Sequence, residues 1–103
     1  MASASDLIDA EWLAEHTLAL VRTPSVTMGE KAVCSQFADL MSSIGLAVDV
    51  REVTPGRNNL YARIAGSGDG PSLLFNGHLD TIPIGDCIQP GRQGDTVSGR
   101  GTT

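Results

Sequence analysis

His78 and Asp80 are the residues whose types and spacing could do chemistry. An imidazole can ligate a metal or move a proton, and a carboxylate two positions away can steer it. In extended chain, residues two apart point to the same side, so the two groups would share a face. A metal-bound imidazole usually donates its second ring N–H to a carboxylate or carbonyl, which fixes the tautomer and raises ligand basicity. His-x-Asp therefore suits a ligand with its own orienting group. The spacing alone is equally that of an ordinary surface loop.

The elements that must position this pair lie on either side of it. Leu73-Leu74-Phe75, between Pro71 and Asn76-Gly77, has the length and composition of a buried strand. Ligands in open α/β sheets sit beyond the carboxyl ends of strands, which is where His78 and Asp80 fall. Upstream, Leu7, Ile8, Trp12, Leu13, Ala19 and Leu20 recur at helical spacing, predicting a helix over 6–22 with Ser3 or Ser5 as its cap. Pro24 ends it near Thr23. His16 lies on the Ile8–Trp12 row and reads as a packed or half-exposed helix residue.

Thr27-Met28-Gly29-Glu30 has the form of a capping box, predicting a second helix over 28–44. Val33, Phe37, Leu40, Met41 and Ile44 form its core stripe, bordered by Cys34, and Gly45 supplies a left-handed C-terminal residue. Residues 46–53 and 59–65 alternate between apolar and polar, and the Pro55-Gly56 loop between them predicts an antiparallel hairpin. Gly66-Ser67-Gly68-Asp69-Gly70-Pro71 lacks both the Lys-Ser/Thr of a Walker loop and dinucleotide glycine spacing, so it reads as a turn. After Gly85 periodicity fades into loop, with a short strand near 95–98. Helices packed on a mixed β-sheet, an α/β fold, follow from this order.

Composition narrows the class. The chain has 103 residues, 41% of them hydrophobic and 18% charged, which fits one globular domain or a piece of one. Net charge is −5, and the basic residues are scattered, so nothing favours nucleic acid or an anionic membrane. Cys34 and Cys87 form no Cys-x-x-Cys and read as free thiols in a reducing compartment. No signal peptide or spanning apolar run is present, and the expected location is cytoplasmic. No Gly-x-Ser-x-Gly elbow supports a serine hydrolase.

The longer string around the pair is more specific. Gly77-His78-Leu79-Asp80-Thr81-Ile82-Pro83 resembles the metal-site motif of the M20 family of zinc-dependent peptidases and amidohydrolases. Ser98-Gly99-Arg100-Gly101-Thr102-Thr103 is similar to the family's Gly-Arg-Gly segment, and Val21-Arg22-Thr23-Pro24-Ser25-Val26 to the end of its first helix. The three stretches occur in the family's order. Ile88-Gln89-Pro90 departs from it, standing where the family usually has a Trp and an Asp-Pro-Phe-like patch.

The resemblance implies that residues 1–103 are the N-terminal part of a three-layer αβα catalytic domain, incomplete and without its lid and dimerisation domain. It implies a metal-dependent hydrolase cleaving the amide bond of N-acyl amino acids or small peptides, with two zinc ions and cobalt as a substitute. His78 would be a metal ligand. Asp80 would belong to the catalytic machinery by hydrogen-bonding His78 without ligating. Arg100 and its glycines would shape the loop that delivers a bridging carboxylate after Thr103. The general-base Glu-Glu pair and the later ligands lie outside these residues, so the expectation for the chain alone is inactivity. The complete enzyme could be a homodimer. The competing expectation is a non-catalytic remnant or partner-binding α/β module, and a nucleotide-binding protein fails for want of a phosphate loop.

Overall fold

The computed structural model describes residues 3–83, 85 and 88–102. In chain order it holds a 3₁₀ turn (Ala4–Leu7), helices α1 (Ala10–Arg22) and α2 (Lys31–Ser43), and strands β1 (Ala47–Thr54), β2 (Arg57–Arg63), β3 (Gly91–Gln93) and β4 (Thr96–Ser98). The chain divides into two compact units, one of Met1–Thr23 with Pro83–Thr103 and one of Pro24–Ile82.

In the first unit, the helix expected over 6–22 is split. The Ser3 backbone N–H donates to Asp6 Oδ2 at 2.9 Å, closing a separate 3₁₀ turn, and Ile8 is extended at φ −87°, ψ 121°. Asp9 then caps α1 by accepting from the Trp12 backbone N–H at 3.0 Å. Two acidic residues thus serve two helix starts, each satisfying donors that a helix N-terminus leaves open. Leu7 and Ile8 fall outside α1 and stay 79% and 61% exposed, so they are not core. The helix ends at Thr23, in extended conformation before Pro24, as the proline requires. β3 and β4 form an antiparallel hairpin turned at Gly94 (φ 59°), and α1 packs on both strands. Only β4 was expected; β3 rises out of a stretch read as loop.

In the second unit, α2 begins at Lys31, three residues later than expected, and Glu30 at its N-cap makes no side-chain cap. The predicted capping box does not form. Both of its side chains are claimed by more distant partners, Thr27 by Asp80 and Glu30 by Arg57. The other end is as expected. Gly45 stands at φ 92°, with Leu46 N–H donating to Met41 O at 3.1 Å and Gly45 N–H to Ser42 O at 3.0 Å, the paired bonds of a Schellman motif. β1 and β2 form the predicted antiparallel hairpin, with Ala47 opposite Arg63 and an irregularity between Glu52 and Thr54. α2 lies against both strands, and Val33 and Cys34 are its buried residues. Cys34 is fully buried and free, and burial pushes its thiol pKa up.

The α/β class therefore stands, with the sheet content in two antiparallel hairpins. The strand expected at Leu73-Leu74-Phe75 does not form, and these residues are 80%, 83% and 87% exposed. Apolar composition predicts burial only where a neighbouring ladder exists, and among the described residues none runs beside this segment. No helix among the described residues is long and apolar enough to cross a membrane.

Glu30 and Arg57 add an electrostatic clasp between the start of α2 and β2. Arg57 Nε donates to Glu30 Oε1 at 3.1 Å, and Arg57 Nη2 donates to the same oxygen. Arg57 holds the Glu30 carboxyl below its usual range, against the opposing effect of burial. A depressed folded pKa means this contribution is present above the ordinary glutamate pKa and lost as pH falls through the lower folded value. Glu30→Gln should accordingly flatten the acid limb of an unfolding-midpoint profile below about pH 4.3, the unperturbed glutamate value. An acid limb of unchanged steepness would contradict the assignment.

Candidate functional site

His78 and Asp80 sit in irregular chain held by one short contact to the Pro24–Thr27 segment. Val26 and Thr81 make an isolated parallel bridge, with Thr81 N–H donating to Ser25 O at 2.7 Å and Thr27 N–H to Thr81 O at 3.1 Å. The Ser25 and Thr81 hydroxyls share a further bond at 2.9 Å, and Ser25 is buried. Two backbone bonds and one hydroxyl pair thus fix the residue next to Asp80. No strand is needed to place it.

The imidazole and carboxylate do share a face. His78 Nδ1 lies 2.9 Å from Asp80 Oδ1 and 2.9 Å from the Asp80 backbone oxygen. Both partners are acceptors, so Nδ1 carries a proton and donates to them. In the neutral ring that leaves Nε2 with a lone pair, and the side chain is 83% exposed. No hydrogen bond engages Nε2 among the described residues. Asp80 is itself held from the other side, where Thr27 Oγ1 donates to Asp80 Oδ2 at 2.8 Å. The Thr27 and His78 hydrogen bonds hold the Asp80 carboxyl below its usual range, the Thr27 bond being the larger cause, while partial burial opposes them.

The remaining candidates fall elsewhere. Gly99, Arg100 and Gly101 belong to the unit containing α1, where Thr102 Oγ1 donates to Gly99 O at 2.7 Å and closes a turn. Arg100 Nε is buried without a hydrogen-bond partner. His16 packs its ring against Trp12, with centroids 4.4 Å apart, which is the packed helix residue expected. Cys87 and Thr103 lie outside the described residues. Among the described residues no three His, Cys, Asp or Glu side chains gather into a metal-binding group.

Known proteins supply the comparison that decides the family. The chain is 45% identical over 75 residues to succinyl-diaminopimelate desuccinylase of Methylobacterium nodulans, covering 68% of this chain and 18% of that protein. It is also 45% identical over 61 residues to acetylornithine deacetylase of Vibrio vulnificus, covering 59% of this chain and 16% of that protein. Over this stretch the chain is an M20-family sequence. No family model and no solved structure matches it. The M20 relatives are hydrolases by name, and the chain spans less than a fifth of the length of either. The M20 resemblance was readable at residues 77–83. That Ser25, Thr27 and Thr81 join to support that motif was not legible, because the partners in each pair lie more than fifty positions apart in sequence.

Proposed function

We propose that this chain is part of a metal-dependent M20 hydrolase that cleaves the amide bond of N-acyl amino acids or small peptides, and that His78 is one of its zinc ligands. The observation that carries this reading is the His78 Nδ1–Asp80 hydrogen bond, which leaves Nε2 as the donor atom of an exposed imidazole. Histidine that ligates zinc commonly has this carboxylate behind it. The donor set fits one position of such a site. Asp80 acts through His78 by fixing its tautomer and orientation.

When bound, zinc supplies a Lewis acid and a water whose pKa is lowered towards neutrality. Catalytic zinc sites ordinarily use about three protein ligands besides that water. A single imidazole leaves the ion largely hydrated, with a water pKa near about 9 and far from about 7. The chain by itself is therefore read as inactive, with the missing ligands and general base supplied by residues other than those described. Cobalt would take the same imidazole.

The test has two arms. The 103-residue chain, with zinc or cobalt, should not hydrolyse N-acetyl or N-succinyl amino acids above the buffer rate. The segment of this chain that aligns with the Vibrio vulnificus deacetylase, grafted in place of its counterpart there, should retain turnover and bound metal. His78→Ala in that chimera should lose turnover and one of the bound metal ions. A chimera that folds and keeps its metal but turns nothing over would favour the competing reading, a non-catalytic remnant. Stoichiometric zinc and turnover in the isolated chain would overturn the view that one imidazole is all it contributes.

A further inference from the structure

We propose that Thr27 is a positioning residue for His78, acting through Asp80; its use in metal binding rests on the reading above, while its geometry does not. The hydroxyl donates to Asp80 Oδ2 at 2.8 Å, and the other carboxylate oxygen, Oδ1, receives His78 Nδ1–H at 2.9 Å. A carboxylate accepts on both oxygens and donates on neither. With Oδ2 occupied from one side, the carboxylate plane is set and Oδ1 is held where the imidazole meets it. The Asp80 backbone oxygen, also 2.9 Å from Nδ1, favours the same tautomer, and Thr27 strengthens that preference by holding Oδ1 in place beside it.

The contact is separable from the local fold. Thr27 already spends its backbone N–H on Thr81 O, and the bridge beside Asp80 is further tied by the Ser25 and Thr81 hydroxyls. The segment is anchored without the Thr27 side chain. That side chain is exposed and could be satisfied by water, yet it points to a carboxylate 53 positions away. The chain also accepts a strained neighbour in placing it. Met28, next in sequence, stands at φ 81°, in a turn closed by Gly29 N–H to Val26 O at 2.7 Å. An L-residue there costs roughly 1–2 kcal/mol, a position glycine would fill freely.

The experiment reads the His78 tautomer directly from ring ¹⁵N chemical shifts of the metal-free 103-residue chain at about pH 8, above the ordinary imidazole pKa. Wild type and Thr27→Ser, which keeps the hydroxyl, should be predominantly Nδ1–H. Thr27→Val, which keeps the β-branch and loses the donor, should lower the ratio of Nδ1–H to Nε2–H by roughly 2–10-fold, the worth of one net hydrogen bond. The amide signals of residues 27 and 81, whose N–H groups donate the two bonds of the bridge, report that it is intact. If Thr27→Val disrupts them, Thr27→Cys, a weaker donor of similar size, takes its place with a smaller shift in the same direction. An unchanged ratio in the folded variant would overturn the proposal, as would a shift in Thr27→Ser as large as in Thr27→Val. No metal enters this readout. A tautomer that responds while zinc ignores His78 would sink the ligand reading alone, and the reverse result would sink the Thr27 role alone.

Discussion

Gly99→Ala should unfold much of the unit built from α1, β3 and β4. Gly99 stands at φ 142°, a backbone conformation that costs an L-residue roughly 1–3 kcal/mol. A Cβ there would overlap Val21 Cγ1 and come within 3.2 Å of Pro90 Cα. Backbone at Pro90 cannot step aside as a flexible side chain can, so overpacking adds about 1–3 kcal/mol. The two effects together, about 2–6 kcal/mol, reach the low end of the roughly 5–15 kcal/mol that holds a small domain folded. The amide signals of β3 and β4 should broaden or collapse, while those of the β1–β2 hairpin, in the other unit, persist. Wild-type chemical shifts throughout β3 and β4 would show that Gly99 has more room than its neighbours suggest. The first glycine of the Gly-Arg-Gly segment, Gly99, is thus explained by its backbone conformation and its packing on α1, whatever Arg100 does.

In the deacetylase chimera, Asp80→Ala should weaken metal binding by roughly 10–100-fold, the usual loss when the carboxylate behind a metal-bound histidine is removed. Without Oδ1 the imidazole retains only the backbone oxygen of residue 80 as a partner for Nδ1–H. It then samples both tautomers and several rotamers, and the fraction presenting an Nε2 lone pair falls. Asp80→Asn should lie between alanine and wild type, since the amide keeps one acceptor oxygen. Affinity unchanged in Asp80→Ala would mean that the backbone oxygen alone orients the ring.

Local signals in the sequence were read correctly where the structure satisfies them locally. Gly45 ends α2 because its left-handed conformation and both Schellman bonds lie within six residues, and Pro55-Gly56 turns the hairpin for the same reason. Long-range competition defeated the other readings. Thr27 and Glu30 have the spacing of a capping box, yet each side chain has a stronger acceptor or donor elsewhere, Asp80 for one and Arg57 for the other. A charged partner makes a better hydrogen bond than a backbone N–H at a helix end. Leu73-Leu74-Phe75 carries strand composition, but strand formation depends on a neighbour, which no window of sequence reveals. At the candidate site, the His78–Asp80 contact was legible from type and spacing. Its support through Thr27 was hidden because the sequence placed that threonine in a different, locally sensible role.

The most direct measurement is a zinc titration of the ¹⁵N-labelled chain followed at both histidine rings. His16, stacked on Trp12 in the other unit, serves as the internal control. His78 Nε2 should shift in a saturable manner while its Nδ1 keeps its proton, and His16 should stay where it is. No shift at His78 Nε2, or equal shifts at both rings, would contradict the assignment of His78 as the metal ligand of this chain.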